Sequence, residues 1–419
     1  MFSVPLERLA PFSVLPVVVF LTAISLPVMA QVSGPMTDPI GVVTIKKDAP
    51  ITIGGMWVLS GADTALGIDS KRGAEIAFKQ IGNNILGHAI NFVVEDDQCD
   101  AEGGQTAATR LGATPNMVAV LGSACSSSCV PAAPILWQAG IIEIGTACTA
   151  PSLTAVDRKP AYDGFMRTVY SDIDQASADA RYLYASLHAR TIVTIHDGSP
   201  YSQQLTTVTA ANFTNLDGVV LSQEAISATD VDMHPLLASI ANESPSVVYF
   251  PVFLAAGAQI IQQAKEVPGL EKTALVAGGG LLAPELLGAA GPAAVGLRIT
   301  APDISAETMG RSYPGFLEQY KQAFGEAPIS GFHGEAYDAA ELLMKAIAKV
   351  AVTDENGTTY IGRKALRDAV FSIKFDGVSG PIACDPHGEC SSFKPAVYQY
   401  VNADPQTYAI GVNPMKIYP

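Results

Sequence analysis

Leu121-Gly-Ser-Ala-Cys-Ser-Ser-Ser-Cys129 and, further along the chain, Ile144-Gly-Thr-Ala-Cys-Thr-Ala-Pro151 are the two stretches that decide the fold. Each follows a short apolar run, 117–121 or 141–144, and leads toward a helical pattern. Turns rich in glycine and hydroxyl residues expose backbone N–H groups and O–H donors, which together hold an anion. Two such turns in succession predict a binding site at the carboxyl ends of parallel strands.

The alternation of short apolar runs and helical patterns continues on both sides of these turns. The predicted strands are 51–58, 90–95, 117–121, 141–144, 191–196, 219–221, 247–251, 273–277 and 297–301. The predicted helices between them are 70–81, 101–111, 130–138, 175–187, 205–213 and 258–265. This alternation indicates βαβ units and an α/β fold whose parallel strands are covered by helices on both faces.

The predicted strands fall into two groups, which are separated by a break near 167–174. Two sheets, each wound on both faces, fit 419 residues better than one very wide parallel sheet. The last part of the chain returns to helices and then to a hairpin-like end at 380–401. The late helices, which complete the first domain if the chain crosses back near 301–303, are predicted at 312–324, 333–351 and 363–370.

Residues 1–30 read as a targeting segment rather than as part of the fold. An apolar run precedes Val28-Met-Ala30, which predicts a secretory signal peptide, with an uncleaved membrane anchor as the alternative. Residues 31–49 are predicted to be a flexible lead-in. The formal net charge of −15 argues against nucleic acid or an anionic membrane as partners, and no direct membrane insertion is expected after signal cleavage.

The six cysteines are an even number, and an exported chain permits disulfides. Their positions favour the pairs Cys99–Cys125, Cys129–Cys148 and Cys384–Cys390, although six cysteines allow fifteen pairings. His387 between Cys384 and Cys390 raises a metal alternative, which an oxidising compartment disfavours because oxidation competes with thiolate ligation. We therefore expect no metal site and no cofactor.

A search for catalytic motifs is largely negative, because the sequence has no nucleophile elbow, zinc-protease motif, Walker loop or dinucleotide fingerprint at its first strand. The glycine run 278–280 is typical of a tight turn. Three groups contain residues suited to acid–base chemistry: Glu95 with Asp96 and Asp97, His196 with Asp197, and His333 with Glu335. The first group is more typical of a solvated loop or a helix cap, no nucleophile motif accompanies the second, and capping explains the third. An exported enzyme is therefore the less favoured class of function.

The hydroxyl residues of the two turns are different, because Ser126 and Thr149 occur in consecutive strand-to-helix turns, each beside a cysteine. An N-cap role is the alternative for each of them. Ser60 supplies a third loop at the same edge of the sheet, where Trp57 and Leu66 offer an apolar wall. These residues together predict a ligand site rather than two unrelated helix caps.

Several motifs together resemble one known family, the Leu/Ile/Val-binding proteins, which are type I periplasmic substrate-binding proteins of ABC importers. The resemblance covers nearly all of 50–400. Its motifs are Leu59-Ser-Gly61, Glu95-Asp-Asp-Gln-Cys99, Gly122-Ser-Ala-Cys-Ser-Ser-Ser128, Thr146-Ala-Cys-Thr-Ala-Pro-Ser-Leu-Thr154, Asp174-Gln175, His196-Asp197 with Tyr201, and Gly331-Phe332 with Tyr337. The resemblance implies two Rossmann-like, doubly wound lobes with a ligand cleft and three hinge crossovers. It also implies a disulfide between Cys99 and Cys125.

The resemblance also implies roles for individual residues. Ser126 and Thr149 match positions that bind a ligand carboxylate, and Ala147 matches a backbone carbonyl contact. The remaining positions of the expected site, on the walls of the cleft or at its hinge, are Tyr201, Phe253, Phe332, Asp174 and Ser60. The implied lobes are 50–168 with 302–395, and 169–301 with 396–419.

Departures from the family pattern bear on the ligand. The family's acidic anchor for a ligand ammonium falls on Gly279, and Leu66 and Phe253 stand where tyrosines are common. One hypothesis is therefore a carboxylate ligand without an α-ammonium, such as an aliphatic or aromatic acid. The competing hypothesis is an amino acid whose ammonium meets another carboxylate, for which the candidates are Asp174, Asp303 and Glu335.

The resemblance implies a soluble periplasmic protein that captures a small carboxylate-bearing ligand and delivers it to a membrane permease. Ser126 and Thr149 would hold the carboxylate on the first lobe, and hinge closure would bury the rest of the ligand against the second lobe. A ligand-sensing receptor module of a signalling system is the alternative. It is less favoured because no membrane helix or kinase-like segment follows the fold.

Overall fold

The computed structural model describes residues 37–392 and 394–419. The predicted signal peptide at 1–30 lies outside these residues. Within them, no helix combines the length and the apolar character that crossing a membrane requires.

The first sheet is built around the two turns rich in glycine and hydroxyl residues. The first seven strands of the chain are β1 (Val42–Ile45), β2 (Ile51–Trp57), β3 (Asn84–Ile85), β4 (His88–Asp96), β5 (Met117–Gly122), β6 (Ile142–Gly145) and β7 (Phe165–Arg167). Its strand order is β3-β4-β2-β5-β6-β7, and all neighbours except β3 and β4 run parallel. Strands β2 and β5 are buried along their whole length, because helices cover both faces of a parallel sheet.

The remaining strands are β8 (Thr191–His196), β9 (Val219–Ala225), β10 (Val247–Tyr249), β11 (Ala274–Gly278), β12 (Arg298–Pro302), β13 (Val352–Thr353), β14 (Thr359–Gly362), β15 (Lys374–Asp376), β16 (Pro381–Ala383), β17 (Pro395–Gln399) and β18 (Met415–Tyr418). The second sheet has the order β18-β17-β12-β11-β10-β8-β9. Strands β8 to β12 run parallel to one another, whereas β17 and β18 add an antiparallel edge.

Helices pack on both faces of each sheet, as the sequence pattern predicts. The helices are α1 (Thr64–Gln80), α2 (Ala101–Ala113), α3 (Ser126–Gln138), α4 (Asp172–Arg181), α5 (Pro200–Asn215), α6 (His234–Glu243), α7 (Leu254–Ala264), α8 (Glu285–Ala290), α9 (Tyr313–Phe324), α10 (His333–Val350) and α11 (Arg363–Ser372). Helix α10 packs against α1 and shares the apolar core of the first sheet, so the late helices do return to the first lobe.

The chain passes between the two sheets after β7, after β12 and before β17. These passages are the three crossovers that the resemblance implies, and the two-lobed, doubly wound α/β class is confirmed. The exact residue boundaries of the lobes remain a prediction.

Two local expectations are wrong. Residues 42–45, inside the expected lead-in, form β1, which pairs with β14 far along the chain. The hairpin expected over 380–401 does not form either. Strand β16 pairs with β15, and β17 pairs with β12 in the other sheet. The β1–β14 and β12–β17 pairs join strands that are distant in sequence and leave no local signal, whereas β15 lies directly before β16 in the chain.

Candidate functional site

A cavity lies between the two lobes at the carboxyl ends of the parallel strands, and encloses about 340 Å³ of space that is partly open to solvent. Its lining contains the residues Leu66, Ala124, Ser126, Ala147, Thr149, Tyr170, Tyr201, Phe253, Gly279, Gly280 and Phe332. Most of the expected ligand-binding residues therefore meet in one place. Ser60 and Asp174 do not line the cavity, and both are exposed.

We call the part of the lining formed by Ser126, Ala147 and Thr149 the hydroxyl wall. Ser126 is the first residue of α3, where backbone N–H groups lack partners within the helix and the helix dipole favours an anion. Its Oγ accepts a hydrogen bond from the N–H of Ala150 at 3.1 Å. The N–H of Ala147 donates to the carbonyl of Ser123 at 3.1 Å. These bonds hold the two turns in register.

Disulfides fasten the hydroxyl wall to its surroundings. Cys129–Cys148 joins the two turns directly, and Cys99–Cys125 ties the first turn to the loop after β4. Cys384–Cys390 closes a tight loop after β16. The disulfide pairing favoured by the sequence is thus confirmed, and it leaves no thiolate beside His387 for a metal.

Arg167 is a fully buried cation behind the hydroxyl wall, and the sequence analysis missed it. Its Nη1 donates to the carbonyls of Cys148 and Ala150 at 2.9 and 3.0 Å. Its Nη2 and Nε donate to both carboxylate oxygens of Glu389 at 2.5 and 3.0 Å. Arg167 therefore ties the second turn, through the carbonyls on either side of Thr149, to Glu389 in the loop closed by Cys384–Cys390.

Asp172 lies on the other side of Thr149 and is fully buried. Its N–H donates to the Thr149 carbonyl at 2.9 Å. Burial raises the pKa of Asp172 to about 8, and the side chain of Thr149 and the nearby Arg167 lower it only in part. Asp172 is therefore mostly protonated at pH 7. A neutral Asp172 repels an anion at the hydroxyl wall much less than a charged carboxylate would.

We call the part of the lining formed by Tyr201, Phe253, Gly279 and Gly280 the aromatic wall. The rings of Tyr201 and Phe253 are 5.5 Å apart and tilted by 49°. A side chain at Gly278 would meet the Tyr201 hydroxyl at 2.2 Å, so the glycine run leaves room for this ring. Burial raises the pKa of Tyr201 well above its ordinary value, which keeps the hydroxyl neutral.

The cavity lining contains no carboxylate among the described residues. Of the three carboxylates considered as ammonium partners, Asp174 is exposed at the start of α4. Asp303 pairs with Lys416 at 2.6 Å. Glu335 is buried, but it lines a separate small cavity on the far side of Tyr170. None of these three carboxylates therefore lies where it would pair with an α-ammonium in the cavity.

Phe332 is positioned by a buried carboxylate that the sequence analysis also missed. Asp69 accepts hydrogen bonds from the N–H groups of Phe332 and His333 at 3.3 and 3.1 Å. The His333 ring lies 2.9 Å from Asp69 and 2.8 Å from the Tyr313 hydroxyl. Burial alone would lower the pKa of His333, but the Asp69 carboxylate raises it above the ordinary value. His333 therefore orders the entry into α10 and does not reach the cavity.

The other groups weighed for acid–base chemistry also have structural roles. Glu95 pairs with Arg110 on the surface at 3.0 Å. Asp96 accepts from the N–H of Leu59 at 2.9 Å, and Asp197 accepts from the N–H of Ser199 at 3.0 Å.

Hydrogen bonds cross the mouth of the cleft beyond the cavity. Asp63, at the start of α1, accepts from the N–H of Leu254, the first residue of α7 in the second lobe, at 3.1 Å. Ser152 and Gln204 exchange two hydrogen bonds of 3.1 and 3.2 Å between the lobes. The structure is therefore a closed form of the cleft.

Comparison with known proteins gives the family. Residues 50–392 match the family model of the periplasmic binding proteins. The Leu/Ile/Val-binding protein of Escherichia coli (strain K12) is 26% identical over 360 residues, which is 85% of this chain and 92% of that protein. The chain belongs to the periplasmic binding protein family, and specifically resembles its branched-chain amino-acid-binding branch.

Solved structures give the same fold. A leucine-binding protein LivK from Thermotoga maritima superposes with a TM-score of 0.75 at 24% identity, covering 84% of this chain and 96% of LivK. A solute-binding protein of an ABC transporter from R. palustris, in complex with benzoate, superposes with a TM-score of 0.71 at 20% identity, covering 88% and 95%.

Proposed function

We propose that this chain is the periplasmic substrate-binding protein of an ABC importer, and that its ligand is a small aliphatic or aromatic carboxylate without an α-ammonium. One observation carries the ligand class: the cavity joins a wall of hydroxyl and N–H donors to a wall of aromatic rings and glycines, and none of the described residues that line it is a carboxylate. Family relatives described as binding leucine, isoleucine and valine, and a structural neighbour described as binding benzoate, make both ligand classes reasonable starting points.

The proposed mechanism is capture without chemistry. The carboxylate binds first to Ser126, Thr149 and the N-terminus of α3, where charge-assisted hydrogen bonds replace its hydration. Rotation about the crossovers then brings Tyr201 and Phe253 over the apolar part of the ligand. Excluding water strengthens the polar contacts, and the closed form offers its surface to a membrane permease.

A calorimetric screen of matched pairs tests the ligand class. Leucine is compared with isocaproate, valine with isovalerate, and benzoate is added as an aromatic acid without an amine. We expect the acids to bind and the amino acids to bind at least tenfold more weakly, because an ammonium buried without a partner costs more than a lost hydrogen bond. Tight binding of leucine or valine with no binding of the acids would overturn the ligand class.

The same samples test the absence of catalysis. Mass spectrometry after prolonged incubation should recover each bound acid unchanged, because a carrier releases the molecule that it captured. A new product that accumulates with time would instead indicate an enzyme.

A further inference from the structure

The contact between Asp63 and Leu254 differs from other contacts of the closed cleft, because one partner is a carboxylate. Asp63 ends the loop after β2 in the first lobe, and Leu254 is the first residue of α7 in the second. As the first residue of its helix, Leu254 has an N–H without a partner inside the helix. The Asp63 carboxylate supplies that partner from across the cleft, at 3.1 Å.

The neighbourhood of Asp63 in the closed form is acidic. The charged groups that act on it are Asp197, which accepts from the N–H of Phe253 at 3.3 Å, and Glu285 at the start of α8. Both belong to the second lobe, so closure brings three carboxyl groups of like charge toward one helix N-terminus. Opening the cleft would expose Asp63 to water and separate it from both neighbours, because they belong to the other lobe.

We propose that Asp63 is a proton-linked latch, which holds the closed cleft more strongly when its carboxyl group is protonated. The inference rests on the ligand-binding cleft proposed above, but not on the identity of the ligand. Ser152 and Gln204 form the matched contact without a charge, and they hold the lobes together equally at every pH.

The direction of the pH effect follows from the environment of the closed form. Burial raises the pKa of Asp63 to about 6 from an ordinary value of 3.8. The Leu254 N–H offsets part of that rise, and Asp197 and Glu285 add to it. The closed form therefore binds a proton more tightly than the open form, so ligand affinity should rise about tenfold as the pH falls from 7 to 5.

The test measures ligand affinity between pH 5 and pH 7, where Asp172 stays mostly protonated, with the strongest binder among leucine, isocaproate, isovalerate and benzoate, counted as its free anion. We expect the tenfold rise in the natural protein and a flat profile in Asp63→Asn, whose amide oxygen still accepts from Leu254. Gln204→Ala should bind more weakly at every pH but keep the tenfold rise. An unchanged pH profile in Asp63→Asn would overturn the proposal.

A second measurement needs no ligand, so it separates failure of the latch from failure of the proposed function. Hydrogen exchange at the Leu254 amide should be slower in the natural protein than in Asp63→Ala, and the protection should grow from pH 7 to pH 5 relative to the intrinsic exchange rate. The Phe253 amide, which donates to Asp197 within the second lobe, is the internal control. Equal exchange of the Leu254 amide in both proteins would overturn the latch, even if every acid bound.

Discussion

The hydroxyl wall and the aromatic wall face each other across one cavity but are built in different ways. The hydroxyl wall is cross-linked by Cys129–Cys148, tied to β4 by Cys99–Cys125 and backed by Arg167. All six cysteines lie outside the second sheet, so the aromatic wall has no such cross-link. It depends on ring packing and on Gly279 and Gly280, which line the cavity without a side chain, while the neighbouring Leu281 packs in the core of the second lobe.

The difference indicates a division of labour. Hydrogen bonds to a carboxylate depend steeply on distance and angle, so the wall that forms them gains from being fixed. Apolar contacts tolerate small changes of shape, so the opposite wall is free to differ between relatives with different ligands. The first wall would then define the charge of the ligand and the second its shape and its other substituents.

The largest effect in this comparison is expected from removing the cation behind the hydroxyl wall. Arg167→Met should lower the free energy of unfolding by about 3–5 kcal/mol, because it leaves the Glu389 carboxylate without its cation and two buried carbonyls without their donor. Urea unfolding measures the loss. Arg110→Met, which breaks the exposed pair with Glu95, should cost less than about 1 kcal/mol.

A double variant distinguishes the pairing from simple packing. Arg167→Met combined with Glu389→Leu removes both charges and should recover part of the lost stability, since two apolar groups leave no unpaired charge. If Arg167→Met lowered the free energy of unfolding no more than Arg110→Met, the hydroxyl wall would not depend on Arg167. The proposed difference between the two walls would then lose its main support.

The next test concerns the hydroxyl groups themselves. Ser126→Ala and Thr149→Val should each weaken binding of the best acid by about 1–3 kcal/mol, the usual cost of a lost hydrogen bond to a charged group. Calorimetry gives the affinities. Ser127→Ala is the control, because its hydroxyl donates to the Cys99 carbonyl at 2.6 Å and does not line the cavity. Equal affinities in all three variants would remove the site assignment.

The sequence predicts features that neighbouring residues determine better than features that depend on partners distant in the chain. The turns at Ser126 and Thr149 were predictable because apolar runs that end in glycine and hydroxyl residues mark the ends of buried parallel strands. The sequence pattern predicts that α3 begins at 130, whereas it begins at Ser126, since a serine-rich, cysteine-containing stretch has no apolar period of its own. Pro131 and Pro134 inside that helix add to the ambiguity.

The missed residues all act through partners far along the chain. Glu389 is 222 residues from Arg167, and His333 is 264 residues from Asp69, so no local pattern joins them. The acidic residue expected on the hinge side differs from the buried one by two positions. The resemblance pointed to Asp174, which is exposed, whereas the buried carboxyl beside Thr149 is Asp172, two residues earlier.

The smallest expected effect, and the one that most sharpens the comparison, concerns Gly279 in the aromatic wall. A Cβ built there would meet Ala301 at 3.7 Å and Phe332 at 3.8 Å, which are ordinary contacts. The wall thus has space for the side chain that the family pattern expects. Gly279→Glu should weaken binding of the best acid about tenfold, close to 1.4 kcal/mol, and improve binding of the matching amino acid.

Gly279→Ala serves as the steric control, because it fills the same space without a charge and should leave the preference for the acid unchanged. Relative affinities for isocaproate and leucine in both variants give the result directly. A shift toward leucine in Gly279→Glu alone would show that the missing charge, rather than the shape of the wall, excludes the ammonium. The same loss of isocaproate binding in Gly279→Ala would instead assign the selectivity to packing against Phe332, and the aromatic wall would then select by shape alone.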